Sequence, residues 1–145
     1  METRQLTDDD YDHVERLFRS TFNIPIGDLN ISWAERCDQS VGIFVGKILI
    51  GFIIASYHKS SKENLYIDYI GLHEDFRGSG LGTQVLLNLV KSAYSVKGSI
   101  HLYPERSSLI SWYERNGFRK THNGYYVFHS YPTRAQREVL ERLAR

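Results

Sequence analysis

Residues Asp75 to Val90 read "DFRGSGLGTQVLLNLV". Glycine occupies positions 78, 80 and 82. Val85, Leu86, Leu89, Val90 and Ala93 then recur at helical spacing. The preceding run, "NLYIDYIGLH", has the apolar, β-branched and aromatic content of a strand. A strand, a glycine turn and a helix start together make an anion site. The first turn of a helix carries unpaired N–H groups and the positive end of its dipole. Glycine lets a phosphate approach that backbone, because no Cβ intervenes. Two nucleotide motifs fail on spacing. A P-loop needs Gly-Lys-Ser/Thr, whereas Gly82 is followed by Thr83 and Gln84. A dinucleotide fingerprint needs a third glycine where Thr83 stands. A tight turn with a closely packed helix start remains the plain alternative.

Upstream, "TRQLT" alternates as a first strand. Thr7 and Asp10 resemble a capping box, and a helix runs from there to about Phe22 with Tyr11, Val14, Leu17 and Phe18 on its apolar face. Ser32 and Glu35 repeat that signature and predict a short helix over Trp33–Asp38. "VGIFVGKILIGFIIASY" reads as two strands joined at Gly46-Lys47. "HKSSKEN", His58 to Asn64, reads as the longest polar loop, too short to separate domains. Downstream, "SIHLY" is a strand, and "SSLISWYERNGF" is a helix ending at Gly117. "FRKTH" and "YYVFHS" flank the hairpin signal Asn123-Gly124, and "TRAQREVLERLAR" predicts a final helix. Hairpins combined with strand–helix–strand units give an α/β or α+β sandwich.

The 145 residues suit one domain, 1–145, with one core. Eighteen basic and seventeen acidic residues argue against a nucleic-acid partner, which calls for a basic excess. No apolar run approaches the length of a membrane span, and the polar, acidic N-terminus does not read as a signal peptide. The lone Cys37 makes no internal disulfide and suits a reducing, cytoplasmic compartment. The histidines show no spaced metal pair on one helix, so no metal is expected.

"Arg77-Gly-Ser-Gly80-Leu-Gly82" resembles the Arg/Gln-x-x-Gly-x-Gly/Ala signature of the GNAT superfamily of N-acetyltransferases. "LISWYERNGF", Leu109 to Phe118, resembles the family's apolar-Tyr-Glu-Lys/Arg-x-Gly-Phe block. The two occur in family order and at family spacing, and the element order covers essentially the whole chain. The resemblance implies the GNAT fold. That is a mixed, mostly antiparallel sheet of about seven strands, splayed between the fourth and fifth, with helices on both faces. It also implies acetyl transfer from acetyl-CoA to an amine.

Roles then follow for particular residues. The resemblance places the CoA diphosphate on the N–H groups of Arg77, Gly78, Ser79, Gly80, Leu81, Gly82 and Thr83. Arg77 either adds charge or braces the turn. The pantetheine arm runs beside the strand Leu65–Leu72; Leu72 offers it backbone hydrogen bonds, and the Ile70 N–H polarises the thioester carbonyl. Asp68 shares a strand face with Ile70 and Leu72, and is the carboxylate placed to take a proton from the amine. Tyr113 holds the family's general-acid position. Where many members carry Asn seven residues before that tyrosine, this chain departs from the pattern with Arg106.

"LYIDYIGLHEDFRGSGLG" also resembles the matching block of spermidine/spermine acetyltransferases, in which Asp68 corresponds to the acid assigned to amine binding. A small-molecule amine, a polyamine or diamine, is the expected acceptor, with Asp28 in "PIGDLN" as a second contact. A protein lysine or N-terminal amine is the first alternative, and a non-catalytic CoA-binding module is the second. The apolar stripe Val139, Leu140 and Leu143 packs either on its own domain or on a second copy, since dimers are common in the family.

Overall fold

The structure is a computed structural model. It describes residues 1–22, 40–58, 61–95, 98–104, 107–129, 137–138 and 141–142; for 58, 61–63 and 92–95 it describes the backbone alone. Seven strands form one mixed sheet in the order β1-β2-β3-β4-β5-β7-β6. They are β1 (Glu2–Gln5), β2 (Val41–Val45), β3 (Ile48–His58), β4 (Ser61–Leu72), β5 (Ser99–Leu102), β6 (Arg119–Lys120) and β7 (Tyr126–Phe128). Three α-helices are described: α1 (Tyr11–Phe22), α2 (Leu81–Ser95) and α3 (Ile110–Arg115). The ladders β1–β2, β2–β3, β5–β7 and β6–β7 are antiparallel. The β4–β5 ladder is parallel. The chain divides into two compact units, Met1–Ser56 with Asp68–Gly82, and Tyr57–Ile67 with Thr83–Arg145, so the boundary crosses β4 after Ile67.

In the first unit, Val14, Leu17 and Phe18 recur at helical spacing and are buried. They join Leu6, Phe44, Leu49, Phe52 and Ile54 in one cluster. Fully burying side chains of this size stabilises by roughly 1.5–3 kcal/mol each before entropy is counted. The Phe18 ring lies 4.8 Å from Phe22 and 4.9 Å, edge-on, from Tyr69 of β4. Tyr69 therefore faces the core, and the alternation of a strand sends Asp68, Ile70 and Leu72 to the other face.

Gly71 shares the Tyr69 face. A Cβ built on Gly71 would lie 2.5 Å from the Phe52 ring, so the ring occupies the space a side chain would need.

A charge cluster closes the start of α1. Both terminal nitrogens of the Arg4 guanidinium donate to the Asp10 carboxylate at 2.8 Å, and the Thr7 N–H donates to it at 2.8 Å. The Arg4 guanidinium also stacks 4.1 Å over the Phe44 ring. The Arg4 hydrogen bonds pull the Asp10 pKa down to about 2, against the opposing effect of burial.

In the second unit, α3 ends in a Schellman motif. The Phe118 N–H donates to the Tyr113 carbonyl and the Gly117 N–H to that of Glu114, each at 3.1 Å. Gly117 has φ 95°, the left-handed conformation glycine adopts without strain. The Tyr113 and Phe118 rings meet edge-on at 5.8 Å, which adds the apolar contact that accompanies this motif. The Asn123-Gly124 hairpin is present, but its turn is wider than two residues. The Gly124 N–H donates to Thr121, and the Thr121 N–H to Tyr125. Tyr66 and His101 are cross-strand partners between β4 and β5, and their rings stack at 4.8 Å.

Several expectations change or fall outside the described residues. The first strand ends at Gln5, because Thr7 already begins the cap of the following turn. Most of the polar segment expected as a loop is strand: β3 runs through His58 and β4 begins at Ser61. Strand pairing is a backbone property and does not require apolar side chains, so composition misread it. The helix over Trp33–Asp38 lies outside the described residues, as do Asp28, Cys37 and Arg106. Of the last helix, Arg137–Glu138 and Glu141–Arg142 are helical, and the stripe Val139, Leu140 and Leu143 lies outside. No helix among the described residues is long and apolar enough to cross a membrane.

Candidate active site

The first unit carries the end of β4 and the glycine turn. The ladder between β4 and β5 ends at Ile67↔Leu102, while β4 continues to Leu72. Asp68 is half-buried on that continuation, and the Ser56 hydroxyl of β3 donates to its Oδ2 at 3.0 Å. The bond orients one carboxylate oxygen.

Past Leu72 the chain folds through a short 3-10 turn, Glu74–Phe76. The His73 N–H donates to the Ile50 carbonyl at 2.7 Å, and His73 Nδ1 accepts from the Asp75 N–H at 3.2 Å. Arg77 Nε donates to the Leu72 carbonyl at 2.9 Å. Of the two readings of Arg77, bracing the turn is the one its side chain carries out here. The Ser79 hydroxyl donates to the Phe76 carbonyl at 2.8 Å. Gly78 and Gly80 follow in the left-handed region, at φ 79° and 80°. A Cβ built on either glycine meets no heavy atom within 4 Å among the described residues.

Helix α2 opens immediately, at Leu81. Gly80 has no side chain to cap it, and the amides of Leu81, Gly82 and Thr83 precede the first intrahelical bond. The first turn of α2 holds no acidic residue. Open space around Gly78 and Gly80, next to the first amides of a helix, fits a phosphate group such as the CoA diphosphate.

The second unit carries Thr83 and Tyr113. Tyr113 is 5% exposed. Its ring lies 4.8 Å from that of Trp112, and its carbonyl is fixed by the Schellman bond described above. Trp112 Nε1 donates to Thr83 Oγ1 at 2.8 Å. One side chain of α3 therefore brings together two residues that sequence reasoning had singled out separately.

Trp112 and Ser56 are the residues that sequence reasoning missed. Trp112 is 29 positions from Thr83 and Ser56 is 12 from Asp68, and neither separation has a local signature. Among the described residues no group of three His, Cys, Asp or Glu side chains is placed to hold a metal ion.

A mixed sheet whose fourth strand leads through a glycine turn to an uncapped helix start is the frame of a CoA-dependent acyltransferase. The chain belongs to the acetyltransferase (GNAT) family, whose sequence profile matches residues 6–118. It is an acetyl-CoA-dependent N-acetyltransferase. No curated protein matches it in sequence. Solved structures share the fold at low identity. The ribosomal-protein-S18-alanine N-acetyltransferase of Escherichia coli is 14% identical with a TM-score of 0.67, over 87% of this chain and 90% of that one. Ard1 from Thermoplasma volcanium is 20% identical with a TM-score of 0.67, over 87% and 93%. The PaiA N-acetyltransferase of Thermoplasma acidophilum, solved with coenzyme A, is 19% identical with a TM-score of 0.64, over 87% and 95%.

Proposed function

We propose that this enzyme acetylates the primary amine of a small molecule, a polyamine or diamine, and works in the cytoplasm as a single domain. The observation that carries this reading is continuous in the chain. One strand face presents Asp68, Ile70 and Leu72, and the same strand runs on into the open glycine turn at the start of α2. The amides from Gly78 to Thr83 hold the diphosphate, and the strand beside Leu72 takes the pantetheine arm. Acetyl-CoA supplies the activated acetyl group.

The chain's own residues manage the protons. An alkylamine near pKa 10.4 is mostly protonated at neutral pH, and freeing its lone pair costs about 4 kcal/mol. Asp68, oriented by Ser56, binds the ammonium and accepts its proton, directly or through water. The freed nitrogen forms the new C–N bond as the C–S bond breaks. The Tyr113 phenol gives its proton to the departing sulfur, and the Ile70 N–H steadies the charge that develops on the carbonyl oxygen. Asp28 is the proposed second contact for a longer cation.

The fold similarity to the ribosomal-protein N-acetyltransferase favours a second reading, in which the acceptor is a protein amine. A panel of putrescine, cadaverine, spermidine, lysine peptides, N-terminal alanine peptides and aminosugars, with release of free thiol as the readout, separates the two. Turnover on the diamines and spermidine supports the proposal. Turnover confined to peptides overturns it.

A further inference from the structure

Trp112 has a role that its place beside Tyr113 does not explain. The indole N–H is a donor only, and it is spent on Thr83 Oγ1 at 2.8 Å. A hydroxyl that accepts such a bond has its own hydrogen turned elsewhere. Among the described residues the hydrogen of the Thr83 hydroxyl meets no protein acceptor. Thr83 is half-buried in the first turn of α2, where the helix amides are also unpaired. An acceptor is therefore wanted at that end of the helix from both backbone and side chain.

We infer that Trp112 is a positioning residue for cofactor binding, its indole N–H turning the Thr83 hydroxyl so that it donates to a phosphate oxygen of the CoA diphosphate. The inference rests on the reading above that the glycine turn holds the diphosphate. It adds a side-chain donor to a grip otherwise made of backbone. The Trp112 ring also lies 4.8 Å from that of Tyr113, the proposed general acid. A bound diphosphate completes the chain indole N–H to hydroxyl to phosphate, in which each bond polarises the next.

The test uses the full chain and four variants: Trp112→Phe, Thr83→Val, the two combined, and Thr83→Ser. CoA affinity is measured by calorimetry. Values of kcat/KM are compared for acetyl-CoA and for acetyl-pantetheine, which lacks the diphosphate. Circular dichroism and a thermal melt check folding. A hydrogen bond to a charged group implies a loss of roughly ten- to a hundredfold in CoA affinity for Thr83→Val. Losing the orienting donor implies about three- to tenfold for Trp112→Phe. The double variant falls no further than Thr83→Val, Thr83→Ser stays near wild type, and acetyl-pantetheine turnover moves little in any of them.

Wild-type CoA affinity in Trp112→Phe overturns the inference. So does an equal loss for both thioesters, which would mean that Trp112 acts through Tyr113 or the general fold. If Trp112→Phe does not fold, Thr83→Val and Thr83→Ser still decide whether the hydroxyl grips the diphosphate. A Gly80→Ala chain that binds CoA as tightly as wild type would sink the underlying reading of the glycine turn. Weakened binding there, with Trp112→Phe intact in affinity, would sink the Trp112 inference alone.

Discussion

Replacing Gly80 with alanine separates what the turn does for the fold from what it does for the ligand. Gly80 sits at φ 80°, where an L side chain costs roughly 1–2 kcal/mol. Sterics add nothing to that, because the new Cβ meets no heavy atom within 4 Å among the described residues. In a chain of this length that cost lowers Tm by about 3–8 °C. On the proposed placement of the diphosphate, however, the methyl group takes space that a phosphate oxygen needs. Displacing a phosphate oxygen from one charge-assisted amide bond costs roughly ten- to a hundredfold in affinity. The expected result is a folded protein with slightly lowered Tm and badly weakened CoA binding, read by a thermal melt and by calorimetry on one preparation. Unchanged CoA affinity would refute the placement of the diphosphate, and a Tm loss well beyond that range would refute the open space around Gly80.

Gly71→Ala should do the opposite, since its Cβ would lie 2.5 Å from the Phe52 ring. We expect a loss of about 1–3 kcal/mol, seen as a lowered urea midpoint, before any ligand is added. Tyr113→Phe keeps the ring in its packing, so turnover should fall by ten- to a hundredfold or more while CoA affinity holds; unchanged turnover in stopped assays would remove it as the acid. Asp68→Asn should slow the reaction and move its pH optimum upward, toward the range where the amine is already neutral, and an identical pH–rate profile would leave Asp68 a structural residue. Asp10 has a folded pKa of about 2 against an ordinary 3.8, so its contribution to stability is fully present above about pH 4 and is lost as pH falls through about 2. Denaturation midpoints across that window should drop more steeply for wild type than for Asp10→Asn, and parallel curves would contradict the assigned cause.

Local rules carried much of this molecule into view. The helix over Tyr11–Phe22 was legible because burial on one face forces apolar residues to a helical period. Gly117 was legible as a helix end because left-handed backbone selects glycine. The Gly46-Lys47 turn and the start of α2 were read on the same grounds. Where the backbone is extended but polar, as at Ser61–Asn64, composition pointed to a loop and missed a strand. The site divides in the same way. The turn at Gly78 and Gly80 was legible, since left-handed backbone selects glycine. Ser56 and Trp112 were not visible, because a side-chain hydrogen bond between distant residues leaves no spacing in the sequence. The Arg4 bond to Asp10 was missed too, although Thr7 and Asp10 had been paired correctly.

The contact between Gly71 and Phe52 works as a key in a lock. Sliding β4 along β3 by one residue would press Ile70 or Leu72 against the ring and turn Asp68 toward the core. Sliding by two would keep the faces but bring Tyr69 or His73 onto the same spot. One alignment accepts the ring, so an inert pair with no chemistry of its own sets which way the Asp68 side chain looks. A smaller residue at position 52 would loosen that setting without touching anything that meets the substrate.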